Sequence, residues 1–253
     1  MDVSENGILF RFTVAADLHI GSSDDEGYAT FRSFLERMRA DAPDFVLIPG
    51  DIGLGDIAFF ADLLSEVGHH VPVHVVAGND ETRGDRTRLR HMFPDDFRER
   101  DFYSFRHGNS CFIGLCNAIP NDHIGHLSSE AIKGDDQSTW LAGELDAARH
   151  MDHVFIFGHV PPHPEGKEHD PGDRGLYLSI NDQRFLRALL LEYRPTAMFC
   201  GHTHSKTSFC LGSTQVFILP CLNPRYGGPN SEYLEVTVYR GRIDTQYVSL
   251  LTG

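Results

Sequence analysis

The sequence predicts an α/β fold built on two sheets. Short apolar runs alternate with amphipathic stretches through the first half, a similar alternation follows, and the chain closes on closely spaced short strands. With 253 residues, 41% of them hydrophobic, one domain over residues 1–253 can bury a substantial core without disulfides.

Ile8–Ala15 is an apolar run and reads as a strand, Tyr28–Arg39 has helical periodicity, and Phe45–Ile48, Ile57–Val67 and Val71–Ala77 follow as strand, helix and strand. Such alternation implies βαβ units, hence a largely parallel sheet with helices packed outside it. After Asp80 the chain is charged and less periodic through Arg83–Arg100. Tyr103–Arg106 and Cys111–Cys116 then read as strands joined by His107-Gly108-Asn109-Ser110, where Gly-Asn is a hairpin signal. A polar stretch, Asn121–Gln137, precedes an amphipathic helix from Ser138 to Arg149, and His153–Phe157 returns to strand. Pro161–Gly175, rich in Pro, Gly and acidic residues, is loop, long enough to be a lid or rim. Asn181–Tyr193 is a helix that Asn181 or Asp182 can cap, and Ala197–Cys200 is another strand. The tail reads as a β-meander: Thr207–Leu211, Gln215–Leu219, Tyr233–Tyr239 and Ile243–Leu250. Two halves are expected, each centred on a sheet, the second ending in antiparallel strands.

The net charge of −14, from 22 Lys+Arg against 36 Asp+Glu, argues against stable nucleic-acid binding, which needs many phosphates neutralised. Met1–Phe10 lacks the basic-then-apolar pattern of a signal peptide, and no run of about 18 apolar residues could span a bilayer, so a soluble cytoplasmic protein without membrane attachment is expected. Cys111, Cys116, Cys200, Cys210 and Cys221 show no C-x-x-C spacing and read as buried reduced thiols.

Five short motifs carry the chemistry. Asp17-Leu18-His19 follows the apolar run Thr13–Ala16, and residues two apart in an extended segment project to the same side, so one carboxylate and one imidazole can share an ion. Gly50-Asp51 follows Phe45–Pro49, and Gly78-Asn79-Asp80-Glu81 follows Val73–Ala77. Gly158-His159 follows His153–Phe157, and Gly201-His202-Thr203-His204 follows Ala197–Cys200. Singly, each is ordinary turn chemistry. Together, five apolar runs end in Asp, Asn or His, and in α/β sheets ligands gather at the carboxyl ends of strands. The set Asp17, His19, Asp51, Asn79, His159, His202 and His204 mixes carboxylate, amide and imidazole without Cys, which suits Mn, Fe, Zn or Co over Ca or Mg alone. Seven ligands are too many for one such ion and fit two divalent transition-metal ions, the arrangement used for in-line displacement at phosphorus.

The order D-x-H, G-D, G-N, G-H, G-H-x-H resembles the calcineurin-like metallophosphoesterase superfamily, from about Arg11 to the end of the chain. Tyr103-Ser104-Phe105 and Gln137-Ser138-Thr139-Trp140-Leu141 are lesser echoes. The resemblance implies a four-layer α/β/β/α sandwich, two mixed sheets flanked by helices. It also implies Asp17, His19 and His204 on one ion, Asn79, His159 and His202 on the other, Asp51 bridging, and a metal-bridging hydroxide as nucleophile. The third motif departs from the family: Asp80 stands where G-N-H-D or G-N-H-E places a catalytic His. Asp51 is followed by Ile52-Gly53-Leu54-Gly55-Asp56, without the phosphate-gripping Arg of protein Ser/Thr phosphatases, and Leu54 stands where purple acid phosphatases place an iron-ligating Tyr. A small bacterial-type phosphodiesterase is the nearest sort.

Asp80, His159 and His202 are thus the candidate catalytic residues, and Asn79, His123 and His163 the candidate substrate contacts. His123, His126 and His163 fall in loops that should overhang the site, whereas His69, His70 and His74 read as solvated or satisfied core histidines. Arg83, Arg86, Arg88 and Arg90 read as the exposed face of a short helix rather than a phosphate-gripping patch. The expected activity is hydrolysis of a small phosphoester, diester over monoester. The competing readings are a phosphomonoesterase and a non-catalytic scaffold such as the retromer subunit that resembles these enzymes.

Overall fold

A computed structural model describes residues 7–23, 25–54, 57–67, 71–134, 136–167, 175–227 and 231–250. The first half runs β1 (Ile8–Val14), α1 (Glu26–Asp41), β2 (Phe45–Pro49), α2 (Ala58–Val67), β3 (Val73–Val76), α3 (Arg83–Met92) and α4 (Pro94–Phe97). It continues with β4 (Tyr103–His107), β5 (Ser110–Leu115), α5 (Gln137–Ala147), β6 (His153–Gly158), α6 (Ile180–Tyr193) and β7 (Ala197–Cys200). The remainder is β8 (Thr207–Leu211), β9 (Thr214–Ile218), α7 (Pro224–Gly227), β10 (Glu232–Tyr239) and β11 (Ile243–Ser249).

Two mixed sheets result, a 5-stranded one in the order β11-β10-β1-β2-β3 and a 6-stranded one in the order β4-β5-β6-β7-β9-β8. β1, β2 and β3 are mutually parallel, as are β5, β6, β7 and β9, so the expected βαβ units are present in both. The period of two along a strand builds the layers. On β5 to β7, Phe112, Phe155, Phe157, Ala197 and Phe199 face the first sheet. Their neighbours Ile113, Ile156 and Met198 face Leu141, Leu145, Leu186 and Leu190 of α5 and α6. The first sheet is covered on its far side by α1 and α2 through Phe31, Phe34 and Leu63. Between the sheets, rings interlock: Phe12 meets Phe112 edge-on at 5.4 Å and Phe45 meets Phe112 at 5.0 Å. Edge-to-face pairs of this kind add about 0.5–1.5 kcal/mol each beyond area burial. The four-layer α/β/β/α expectation holds.

Two local readings are corrected. The tail is not one meander: β8 and β9 stay in the second sheet, while β10 crosses back to pair antiparallel with β1 and carries β11 with it. Ser179, rather than Asn181 or Asp182, caps α6 by accepting from the Asp182 amide. The short helix expected around Arg83–Arg90 is α3, started by a Thr82/Asp85 capping box. The Gly108-Asn109 turn is confirmed by the His107↔Ser110 pairing that closes β4 and β5. Among the described residues no helix is long and apolar enough to cross a membrane.

Candidate metal centre

The carboxyl ends of β1, β2, β3, β6 and β7 converge at one end of the sandwich. They bring Asp17, His19, Asp51, Asn79, His159 and His202 into buried positions, with His204 half-buried beside them. Main-chain bonds lock these strand ends together: Asp17 N donates to Gly50 O at 3.3 Å, His19 N to Asp51 O at 3.0 Å, and Gly201 N to His159 O at 3.0 Å. The convergence strains the chain. Asp17, His19, Asp51, His202 and His204 all adopt left-handed backbone, with φ from 42° to 73°. Non-Gly residues rarely tolerate that region, and such strain persists where a site over-determines it. Two of the motif glycines are demanded by close approach: a Cβ on Gly78 would lie 2.1 Å from Asp51 Oδ1, and one on Gly201 2.4 Å from Asp17 Oδ2.

The donor atoms form two overlapping groups. In the first, His19 Nε2 and His204 Nε2 face each other at 3.0 Å, with Asp17 Oδ1 3.5 Å from His204 Nε2 and 3.9 Å from His19 Nε2. In the second, His159 Nε2 lies 3.1 Å from Asn79 Oδ1, 3.1 Å from His202 Nδ1 and 3.2 Å from Asp51 Oδ2. Asp51 Oδ2 is also 3.9 Å from His19 Nε2, so one carboxylate oxygen reaches both groups. Three of the imidazoles are oriented from behind. His159 Nδ1 donates to Pro49 O at 2.9 Å, His202 Nε2 to His123 O at 2.9 Å, and His19 Nδ1 to Asp80 Oδ2 at 3.0 Å. The other nitrogen of each ring faces the remaining donor atoms of the cluster, where a bound divalent cation would be shared among them. Imidazole nitrogens about 2.1 Å from one ion and at right angles stand roughly 3 Å apart, so the observed spacing suits shared ions.

The electrostatics favour positive charge here. Burial opposes charge on His159, but the neighbouring Asp51 carboxylate outweighs it and pushes the imidazole up to about 9. Asp51 itself is held well below the usual carboxylate range, because His159 and His19 overcome its burial. His202 is driven down to about 4 by burial and then by the charge on His159, which suits a neutral ligand.

Several supporting residues were invisible as such in the sequence. Glu81, wholly buried, accepts from Ile52 N at 2.9 Å, Gly53 N at 3.1 Å and Gly78 N at 2.6 Å, tying the Asp51 and Asn79 loops together. Burial, then the charge of Asp51, pushes Glu81 up to about 7. Asn117 exchanges bonds with Val160 N (3.0 Å) and O (2.7 Å), fixing the loop that carries His159. Asn223 Nδ2 donates to His19 O at 3.0 Å, and Cys221 Sγ to Asp17 O at 2.9 Å. Arg86 corrects its sequence reading: it is not on an exposed face but buried, donating to Glu81 O, Gly78 O and Ala118 O. Glu81→Gln, which turns an NH2 toward backbone donors, should lower metal affinity about 10–100-fold by competition with a fluorescent chelator.

The shifts also set a pH dependence for the chelated protein. His159 is raised from 6.5 to about 9 and Glu81 from 4.5 to about 7, so both bind protons more tightly when folded. Their stabilisation is complete below the unfolded values and is lost as pH rises through the folded ones. Chelated protein should therefore melt at lower temperature at pH 9 than at pH 6.5. A Tm that rises over that interval contradicts the assignment.

The remaining histidines and cysteines sort cleanly. The His123 ring lies 5.9 Å from that of His202, at the edge of the site. His163 is buried and stacked on Tyr177 at 4.3 Å, one step further out. His74 is a satisfied core histidine, paired with Asp96 at 2.8 Å and stacked on Phe105. His69 and His70 lie outside the described residues, as do residues 168–174 of the expected loop. Four cysteines are buried as expected, whereas Cys210 is exposed.

A family model described as calcineurin-like phosphoesterase matches residues 10–206. A dimetal phosphatase from Danio rerio superposes with TM-score 0.69 at 16% identity, over 97% of this chain and 98% of that one. A purple acid phosphatase from yellow lupin (Lupinus luteus) seeds gives 0.68 at 14%, over 95% of this chain and 51% of that one. GAP50, the anchor in the inner membrane complex of Plasmodium, gives 0.66 at 15%, over 98% and 86% respectively. At these identities the structures show a shared fold alone. No curated protein sequence matches the chain. The family match over residues 10–206, with a donor cluster for two ions where the strands end, shows that this chain belongs to the calcineurin-like phosphoesterases.

Proposed function

We propose that this chain is a dinuclear metal-dependent phosphodiesterase acting on a small molecule. The observation that carries the hydrolase reading is the complete donor set: Asp17, His19 and His204 for one ion, Asn79, His159 and His202 for the other, and Asp51 between them. Such ions, when bound, stabilise charge on phosphoryl oxygens and acidify water toward neutrality. The donor chemistry suits Mn, Fe or Zn. A non-catalytic scaffold would have no need of five ligands held in strained backbone.

The diester preference rests on charge. Among the described residues, no Arg or Lys hydrogen-bonds or ion-pairs with the seven donors or with Asp80, whose partly exposed carboxylate lies beside them. A monoester brings about two negative charges and a diester one, so the same acidic neighbour penalises the monoester more. Diester kcat/KM should equal or exceed that of the matching monoester. A monoester preference of about tenfold, roughly 1.4 kcal/mol, contradicts this.

Asp80 acts by positioning. Its Oδ2 holds His19 Nδ1 at 3.0 Å and its Oδ1 accepts from Asn79 Nδ2 at 3.0 Å, one ligand of each ion. With both oxygens engaged in holding ligand side chains, it is poorly placed to hand a proton to a leaving group. Rates on aryl diesters should fall steeply as leaving-group pKa rises. Asp80→Asn should weaken metal retention about tenfold and leave that slope intact. If instead turnover of every diester collapses with both ions retained, and the wild-type slope is flat, Asp80 is the donor.

A further inference from the structure

We infer that a cleft walled by the segments that follow His123 and His159 receives an organic substituent of the phosphoester, and that this substituent is a flat, largely apolar ring. The inference rests on the phosphoesterase reading. The cleft, about 590 Å³, is lined by Ile124, His126, His163, Tyr177, Ile180 and Asn181 among others. That volume falls in the range of about 300–1,000 Å³ that small-molecule sites occupy.

Its walls are continuations of the loops that carry the second ion's donors. On one side, His123 accepts from His202 Nε2 through its carbonyl at 2.9 Å, and the next residue, Ile124, lines the cleft. On the other side, Pro161, Pro162 and His163 follow His159 closely, and Leu178 N donates to Pro161 O at 3.1 Å. The two sides are stitched together by Gly125 N to Tyr177 O at 3.1 Å and Ser179 N to Gly125 O at 2.8 Å. The cleft is therefore fixed relative to the donor cluster by main-chain bonds.

The lining specifies the occupant. Ile124 and Ile180 are 40% and 42% exposed and both face the cleft, so together they give it an apolar patch open to a ligand. His163 and Tyr177 stack with ring centroids 4.3 Å apart, adding a planar aromatic pair to the wall. No Arg or Lys occurs among the described lining residues, so these walls carry no permanently cationic side chain for a second phosphate or a carboxylate. A polyhydroxylated sugar would lose its hydrogen bonds to water against the isoleucines. His126 and Asn181 supply a few polar contacts at the margin, as small-molecule sites commonly do. An aryl or nucleobase-like group fits this chemistry.

The test uses the Mn-loaded full chain and two probes that have no P–O–C bond to hydrolyse: methyl(phenyl)phosphinic acid and dimethylphosphinic acid. Both carry one negative charge, as a diester does, and they differ only in phenyl against methyl. Calorimetry should give the phenyl compound a Kd at least about tenfold lower, equivalent to roughly 1.4 kcal/mol. Ile124→Ser combined with Ile180→Ser should cut that ratio to about threefold or less. Both side chains are exposed, and thermal melts confirm that the variant is folded. Equal affinity for the two probes, or a ratio untouched by the double substitution, overturns the cleft assignment and leaves the phosphoesterase reading standing. Binding of neither probe overturns both.

Discussion

Asp51→Ala is expected to strip both ions from the centre and abolish hydrolysis. Asp51 Oδ2 stands 3.2 Å from His159 Nε2 and 3.9 Å from His19 Nε2, so it is the side chain that touches both donor groups. Its Oδ1 accepts from Asp80 N at 3.0 Å, which keeps the third motif in register with the second. Without it, Asn79, His159 and His202 become an uncharged set, and a divalent ion loses its only carboxylate there. The first group keeps Asp17 but loses half of its negative charge. Loss of transition-state charge stabilisation on this scale should lower kcat/KM by at least about 10³-fold, roughly 4 kcal/mol. Elemental analysis after desalting, alongside turnover of an aryl diester, checks it. Two equivalents of metal retained by the variant contradict the bridging role.

Arg86→Met is expected to be the most destabilising single change outside the donor set. The guanidinium is 2% exposed and spans four groups: Glu81 O at 3.2 Å, Gly78 O at 2.8 Å, Ala118 O at 3.0 Å and Cys116 Sγ at 2.9 Å. Met fills much of the volume but leaves three buried carbonyls without their donor, each worth about 1–3 kcal/mol. A total of about 3–5 kcal/mol should lower Tm by roughly 10 °C or more in a chain of this length. Arg86→Lys should recover little, since an ammonium cannot reproduce the planar fork. Metal affinity should fall too, because Gly78 precedes Asn79. A Tm within about two degrees of wild type, measured under the same metal load, contradicts this.

The five motifs were legible because metal binding puts uncommon residue types at the ends of apolar strands, and that coincidence survives in one dimension. The layers were legible because alternation on β5 to β7 leaves both faces apolar. Sheet membership of the tail was not: alternation marks β10 as a strand but carries no information about pairing with β1, at the opposite end of the chain. The burial of Arg86 was equally hidden, since α3 carries four arginines and only the closure of the Gly78 and Ala118 loops over it decides which one turns inward. Glu81 looked like the tail of a turn motif because its partners, Ile52 and Gly53, come from a different loop.

Metal titration decides whether hydrolysis needs two ions held by these seven side chains. Chelated protein is titrated with Mn(II) while bound metal and turnover of bis(p-nitrophenyl) phosphate are followed together. Turnover should be absent at the start and reach its full value as the second equivalent binds. Undiminished turnover in exhaustively chelated protein, or saturation of both signals at one equivalent, contradicts it.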